Sequence, residues 1–234
     1  MAELIPKQFL FRFTLACPKV ARMPTKGNHI VDLPDQARLP HLGEMDGLPH
    51  FADLWMGWNE QGLGLAWRVW GKTEPIHGES DRPKSCDGLS LWLDTRDTRT
   101  IHRASRYCQR LTIAVHDGGS DGLPSISQQK IHRANEEAPQ ADLSSVRLAR
   151  HPLDEEGEFI TTSKGKPAPI RNYQMEAFLP AAVLSGFDPD VNRRLGFFVR
   201  IRDHELGDQI SGTGPEFPYW EDPSLWLTLE LVDG

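Results

Sequence analysis

In segment 87–97, leucines occupy every second position from 89 to 93, and Ser90, Trp92 and Asp94 fall on the other positions. This period of two is typical of a β-strand that buries one face, because successive side chains of a strand point to opposite sides. The alternation predicts that the leucines face a core. It predicts that Trp92 points to the opposite face, where its indole is either exposed to a ligand or buried by covering loops.

Similar strand patterns recur along the chain, and turn residues separate them. Two such stretches flank the tetrapeptide 59–62, which ends in Gly62 and predicts a hairpin. On the second of these stretches, Leu63 and Leu65 fall on one face and Trp70 on the other. The predicted strands are 8–16, 53–58, 63–70, 89–94, 107–115, 145–149, 172–178, 195–202 and 225–232.

Helical patterns are nearly absent. Segment 179–184, with Pro180 near its start, predicts one helical turn. Residues 17–50 predict an irregular arm, and residues 116–142 a long loop of a length that is uncommon in compact domains. We therefore predict an all-β fold, a two-sheet antiparallel β-sandwich of the immunoglobulin or jelly-roll type. It has long loops and one or two short helical turns, and residues 1–234 form a single domain.

Composition and charge exclude several classes of partner. The chain has 26 Lys and Arg against 33 Asp and Glu, a net charge of −7, so it lacks the basic footprint of a nucleic-acid-binding protein. No run approaches the ~18 apolar residues of a membrane span, which predicts no membrane partner. Lys7 and Arg12 interrupt the apolar residues near the N-terminus, so we expect no signal peptide and a cytoplasmic location.

Cysteine usage agrees with that location. Cys17, Cys86 and Cys108 are odd in number and have no CxxC spacing, which predicts reduced thiols. A single bridge, Cys17–Cys108 or Cys86–Cys108, is the alternative. The sequence makes no prediction about the oligomeric state.

Several spaced motifs carry a resemblance to a known family. They are the strand-loop 87–94 (DGLSLWLD), the strand-turn 172–184 (NYQMEAFLPAAVL), the strand 195–203 (LGFFVRIRD), and Trp220 followed by 223–232 (PSLWLTLELV). Together they resemble the family-9 carbohydrate-binding modules and the wider DOMON-like superfamily. Segment 87–108 is similar to one group of standalone, uncharacterised bacterial members. The resemblance covers most of residues 50–232 and implies a sandwich fold and a tendency to bind a ligand, with no activity.

The candidate ligand site combines tryptophan with arginine. Indole rings stack on the apolar faces of sugars, and guanidinium groups bind hydroxyl or anionic groups through paired hydrogen bonds. Segment 94–106 holds four arginines, one histidine and two aspartates, which predicts a polar pocket, although such a charge cluster is often only a solvated loop. The predicted ligand-binding residues, all on one sheet face, are Trp70, Trp92, Asp94, Arg96, Asp97, Arg103, Arg106 and Arg110.

The sequence holds no convincing catalytic or metal motif. No HExxH pattern is present, so a zinc site would have to be assembled entirely by folding. Residues 118–122 (GGSDG) match GxSxG, but they do not follow a strand and open a helix as a nucleophile elbow does. Glu176 and Asp203 are the carboxylate pair that a glycoside hydrolase would need, although a structural role for Glu176 is the simpler interpretation. No cofactor is predicted; a structural Ca²⁺ would draw on strand-end aspartates, namely Asp87, Asp94, Asp203 and Asp208.

These observations favour a non-catalytic module that binds a carbohydrate or a small polar or anionic metabolite. Stacking area would come from tryptophan, and hydrogen bonds from arginine and aspartate. The alternative is a protein-interaction or scaffold domain without a small-molecule ligand, in which the loops 71–87 and 116–142 contact a partner.

Overall fold

Twelve strands build the protein in a computed structural model that describes residues 7–79, 82, 85–119, 121–160 and 169–233. The strands are β1 (Thr14–Pro18), β2 (Arg38–Leu39), β3 (Ala52–Asn59), β4 (Gly62–Val69), β5 (Gly88–Asp94), β6 (Cys108–Ala114), β7 (Ser125–Gln129), β8 (Arg147–Pro152), β9 (Tyr173–Pro180), β10 (Arg194–Asp203), β11 (Gly207–Ile210) and β12 (Leu227–Val232).

The strands form two sheets. The seven-stranded sheet has the order β1-β12-β10-β5-β6-β7, with β11 also paired to β10, and the five-stranded sheet has the order β2-β3-β4-β9-β8. All strand pairs between these elements are antiparallel except β1 with β12. The predicted all-β sandwich is confirmed.

The main core lies between the inner faces of the two sheets. In the seven-stranded sheet, Leu91 of β5 lies between Val199 of β10 and Leu111 of β6, and all three side chains are buried. The five-stranded sheet presents residues such as Met56 and Leu65 to the same core, where both are buried. The leucines of β5 therefore face inward, as their alternation predicted.

Loops cover part of both outer faces and create two smaller apolar clusters. On the seven-stranded sheet, Trp92 packs with Phe198, Tyr219 and Trp226, and on the five-stranded sheet Met23 and neighbouring residues of the arm cover Ala66. Trp92 is on the outer face, as predicted, but it is 0% exposed. Of the two alternatives for Trp92, exposure is wrong and burial by covering loops is correct, because an indole leaves enough apolar surface on an open sheet to draw loops onto it.

The predicted hairpin is present as β3 and β4, joined at Glu60 and Gln61. Gly62 opens β4 with φ 149°, and a Cβ there would lie 2.1 Å from the carbonyl oxygen of Leu179. Glycine is thus required at this position, because the neighbouring strand β9 passes too close for any side chain.

Three predictions about local structure need correction. The strand predicted at 8–16 is instead a short helix, Lys7–Leu10, followed by β1, so Phe9 and Phe11 are exposed. Strand β7 lies within the predicted long loop 116–142; its sequence SISQQ is half-buried throughout and has no apolar alternation. The predicted irregular arm 17–50 contains β2 and two 3-10 turns.

Two other local predictions, on a helical turn and on the cysteines, agree with the structure. The helical turn predicted at 179–184 is a 3-10 turn, Ala181–Val183, with Pro180 at its N-cap, and it is one of several short helical turns. The three cysteines are free and buried. None of the helices in the described ranges is long and apolar enough to cross a membrane. Four residues of the predicted polar loop 71–87 (80, 81, 83 and 84) and the N-terminal residues 1–6 lie outside the described residues.

Candidate functional site

The basic segment 94–106 connects β5 to β6, and the buried carboxylate of Asp94 holds its first turn. Asp94 accepts hydrogen bonds from the backbone N–H of Arg96 at 2.9 Å and of Thr98 at 2.7 Å. Burial raises the pKa of Asp94, although these amide hydrogen bonds oppose the shift. Asp97 then takes a left-handed conformation (φ 46°) and accepts hydrogen bonds from the Thr228 hydroxyl at 2.9 and 3.0 Å.

Two predicted arginines gather on the ring of Tyr107 rather than on a tryptophan. The guanidinium carbons of Arg96 and Arg106 lie 4.4 and 5.1 Å from the ring centre. Arg106 also donates a hydrogen bond to the Tyr107 hydroxyl at 3.1 Å, and this bond lowers the pKa of the phenol. Arg96 donates to the carbonyl of Gly186 at 2.8 Å. Arg103 is exposed.

The structure does bring Trp92 together with Arg110. The guanidinium carbon of Arg110 lies 4.6 Å from the centre of the Trp92 ring, and that of Arg200 lies at 5.9 Å. Burial and the nearby Arg200 lower the pKa of Arg110 to about 10. Among the described residues, the buried Nε atoms of Arg110 and Arg200 and the Nε1 atom of Trp92 have no hydrogen-bond partner.

The sequence prediction missed Arg200 and its neighbour Arg202, although a signal was present. Both alternate with Val199 and Ile201 on β10 and therefore point to the outer face, as Trp92 does. Arg202 binds Asp208 through two hydrogen bonds of 2.9 and 3.0 Å, and Arg200 lies 3.8 Å from the same carboxylate.

Trp70 does not share a face with Trp92. It follows β4 in the five-stranded sheet, whereas Trp92 lies in β5 of the seven-stranded sheet. Its half-buried ring packs edge-to-face on His50 at 5.3 Å. The prediction of one sheet face holding all eight residues is wrong in this respect, because β4 and β5 belong to different layers of the sandwich.

A large cleft lies beside the basic loop. Its volume is about 640 Å³, and three segments line it: residues 9–13, residues 99–102 and residues 213–227. Phe9 and Phe217 stack at 4.5 Å, and Phe11, at 61% exposure, leaves its ring open to solvent. The aromatic lining residues are Phe9, Phe11, Phe13, Phe217 and Trp226.

Polar groups form another part of the cleft lining. His102 Nδ1 lies 3.1 Å from Asp222 Oδ2 and 3.1 Å from the Ser224 hydroxyl, which also donates to Asp222 Oδ1 at 2.7 Å. Arg99 contributes a guanidinium that pairs with Asp97 at 3.3 Å and donates to the Thr228 hydroxyl. Since one imidazole nitrogen makes both contacts, His102 does not link serine to aspartate as in a catalytic triad. The group instead offers hydrogen-bond donors and acceptors beside aromatic rings.

The strand-end aspartates considered for Ca²⁺ have other partners. The ammonium of Lys72 lies within hydrogen-bond distance of both Asp87, at 3.0 Å, and Asp203, and all three side chains are fully buried. An internal cation therefore occupies the space between these two carboxylates. Glu176 lies in the five-stranded sheet, whereas Asp203 ends β10 in the other sheet, and the two carboxylates have separate sets of partners.

Comparison with known proteins identifies the fold. No protein-family model matches the chain, and no curated protein matches it. A family-9 carbohydrate-binding module from Caldicellulosiruptor kristjanssonii in complex with cellotriose is 12% identical over 95% of both chains, with a TM-score of 0.57. The same module in complex with glucose has 12% identity, 95% and 97% coverage, and a TM-score of 0.57.

A third solved structure, of a protein from Bacteroides uniformis ATCC 8492, has 13% identity over 94% and 99% of the chains and a TM-score of 0.53. The protein therefore has the fold of the family-9 carbohydrate-binding modules, and the resemblance seen in the sequence is confirmed at the level of the fold. At these identities the similarity establishes only the fold, and the function depends on the residues of the site.

Proposed function

We propose that the protein is a non-catalytic module that binds a carbohydrate in the aromatic cleft. The observation that carries this proposal is a cleft of about 640 Å³ that joins exposed phenylalanine rings to a polar group of His102, Asp222 and Ser224. Ligand sites typically occupy ~300–1,000 Å³ and combine apolar walls with a few polar groups that fix orientation. The cellotriose and glucose held by solved modules of the same fold support this ligand class.

Each part of the cleft has a chemical role in this proposal. Phe11 and Phe217 supply flat apolar surface against which the C–H face of a pyranose ring stacks. Asp222 accepts hydrogen bonds from sugar hydroxyls, and Arg99 donates to them. His102 is 77% exposed at its side chain, so a ligand reaches it without any rearrangement of the fold.

Titration calorimetry with glucose, cellobiose and cellotriose tests the proposal. We expect wild-type protein to bind at least one of them, and Phe11→Ala to weaken binding about tenfold, the equivalent of about 1.4 kcal/mol. Leu123→Ala is the matched control, since Leu123 is also exposed (59%) but does not line the cleft. Absence of heat with every saccharide, or equal binding by Phe11→Ala, would contradict the proposal.

A second candidate ligand is a small anion held by the arginines over Trp92. Arg110 and Arg200 place two guanidinium groups on one indole, and each has a buried Nε atom without a hydrogen-bond partner. This arrangement favours a carboxylate or phosphate group, which accepts paired hydrogen bonds from guanidinium. The cytoplasmic location stays a prediction. So does ligand binding by the other residues chosen from the sequence, namely Trp70, Asp94, Arg96, Asp97, Arg103 and Arg106.

A further inference from the structure

A second side-chain cluster lies on the outer face of the five-stranded sheet. Glu176 projects from β9, and its directly paired neighbours in the sheet are Ala66 of β4 and Ala149 of β8. Their small side chains leave room above the carboxylate. His151 of β8 and His29 of the arm both reach into this space, and their rings stack at 4.4 Å.

The two imidazoles converge on one oxygen of Glu176. His29 Nδ1 lies 2.6 Å and His151 Nε2 lies 3.4 Å from Glu176 Oε1. The three atoms all lie within 4.8 Å of one another. In a tetrahedral zinc site with bonds of ~2.0–2.1 Å, neighbouring ligand atoms are roughly 3.4 Å apart. The distance between His151 Nε2 and Glu176 Oε1 already has this value. A small outward shift of the half-exposed His29 would lengthen the 2.6 Å distance between His29 Nδ1 and Glu176 Oε1 toward it.

The surroundings of Glu176 orient it for this role. Its side chain is fully buried, and Oε2 accepts hydrogen bonds from the backbone N–H groups of Ile30 and Val31. Gln174 donates a further hydrogen bond to Oε1 at 3.0 Å. These hydrogen bonds fix both carboxylate oxygens, with Oε1 turned toward the two imidazoles.

A structural role for the hydrogen bonds of Glu176 explains only part of the cluster of His29, His151 and Glu176. The hydrogen bonds from Ile30 and Val31 explain how Glu176 anchors the arm to the sheet. They do not explain the position of His151, whose buried Nε2 atom faces the carboxylate but makes no hydrogen bond of normal geometry within the described residues. A buried polar atom without a partner costs free energy, and a metal ion shared with the other two donors would satisfy it.

We propose that His29, His151 and Glu176 bind a divalent transition-metal ion, and that Zn²⁺ is the ion this donor set favours. Two imidazoles and one carboxylate are the three protein ligands of a zinc site that keeps its fourth position open. The side chain of His29 is 47% exposed, so that position is accessible to water or to a donor atom of a ligand. The site lies on the sheet opposite Trp92 and shares no residue with the aromatic cleft, so it does not rest on the carbohydrate proposal.

Competition between the full-length, metal-free protein and a chromophoric chelator measures Zn²⁺ binding and its stoichiometry. We expect one equivalent per chain, and a loss of affinity of at least about tenfold in His29→Gln and in His151→Gln, because changes even beyond the direct ligands typically cost 10–100-fold. His204→Gln is the matched control. His204 stacks on His77 at 4.3 Å in a similar histidine pair, but that pair is not part of the three-donor cluster.

Cobalt substitution supplies an independent readout. Co²⁺ bound by these ligands should produce visible absorption bands that His151→Gln abolishes and His204→Gln retains. Because Glu176→Gln removes a buried charge and is at risk of misfolding, the conclusion rests on the two histidine variants, whose folding circular dichroism checks. Absence of stoichiometric Zn²⁺ binding to the wild type, or equal affinity in His29→Gln, His151→Gln and His204→Gln, would overturn the proposal.

Discussion

The buried ion triad around Lys72 leads to a sharp stability prediction. The side chains of Lys72, Asp87 and Asp203 are all 0% exposed, so each charge depends on the others for compensation. We expect Lys72→Met, which keeps most of the side-chain volume, to lower the free energy of unfolding by about 3–5 kcal/mol. That is the usual cost of leaving one partner of a buried ion pair uncompensated.

The remaining hydrogen bonds of the two carboxylates limit the loss of stability in Lys72→Met. Asp87 keeps hydrogen bonds from the backbone N–H groups of His77 at 3.0 Å and His204 at 2.7 Å, and Asp203 keeps two at 3.0 Å from the amides of residues 205 and 206. These amides stabilise both carboxylates but carry no full positive charge. We therefore expect a large loss of stability in a variant that still folds, since domains of this kind are stable by about 5–15 kcal/mol.

Urea denaturation at neutral pH measures the effect. With a slope of about 3 kcal/mol per molar urea, a loss of 3–5 kcal/mol lowers the midpoint by about 1–1.7 M. Lys130→Met is the matched control, because Lys130 makes an ion pair of similar length with Glu137 (3.0 Å) on the surface, with 82% of the Lys130 side chain exposed. We expect it to change stability by less than about 1 kcal/mol.

The pH dependence follows from the same contacts. Burial lowers the pKa of Lys72, but its hydrogen bonds to Asp203 and Asp87 outweigh burial and raise the pKa above its ordinary value of 10.5. The stabilisation is therefore fully present below pH 10.5 and is lost as the pH rises through the raised pKa. A loss below about 1 kcal/mol at neutral pH, or equal effects of Lys72→Met and Lys130→Met, would refute this account of the triad.

Further predictions concern stability and the arginine patch. Gly62→Ala should destabilise the protein by about 2 kcal/mol or more, whereas Gly27→Ala, which meets no atom within 4 Å, should be nearly neutral in the same urea titration. Trp92→Ala should cost about 3–5 kcal/mol because its ring is fully buried, and half-buried Trp70 should cost less when replaced by Ala; equal losses would show that the burial assignment is wrong. Sulfate or phosphate should raise the melting temperature of the wild type more than that of Arg110→Met, and identical shifts would remove the anion hypothesis.

Local sequence patterns predict the polar part of the candidate cleft but not its aromatic part. The basic segment 94–106 was predicted to form a polar pocket, and Arg99 and His102 from this segment do line the aromatic cleft. The sequence does not predict the aromatic partners of that cleft, because its pattern places Phe9 and Phe11 on a strand over residues 8–16. Their exposure depends on where β1 begins, and β1 pairs with β12 from the far end of the chain.

The sequence alone was sufficient for the sandwich and for most of its strands. Alternation along a strand is a local property, since each side chain points opposite to its neighbour, and the inward leucines of β5 follow from it directly. The family resemblance added the particular fold, which the solved structures confirm.

Only the tertiary structure decided what covers an outer face and which distant residues meet there. Burial of Trp92 depends on Tyr219 and Trp226, and Glu176 meets His29 from 147 positions away along the chain. No periodicity of a single segment contains such contacts, because they arise when separate loops close over a sheet and bury surface that each strand would otherwise expose.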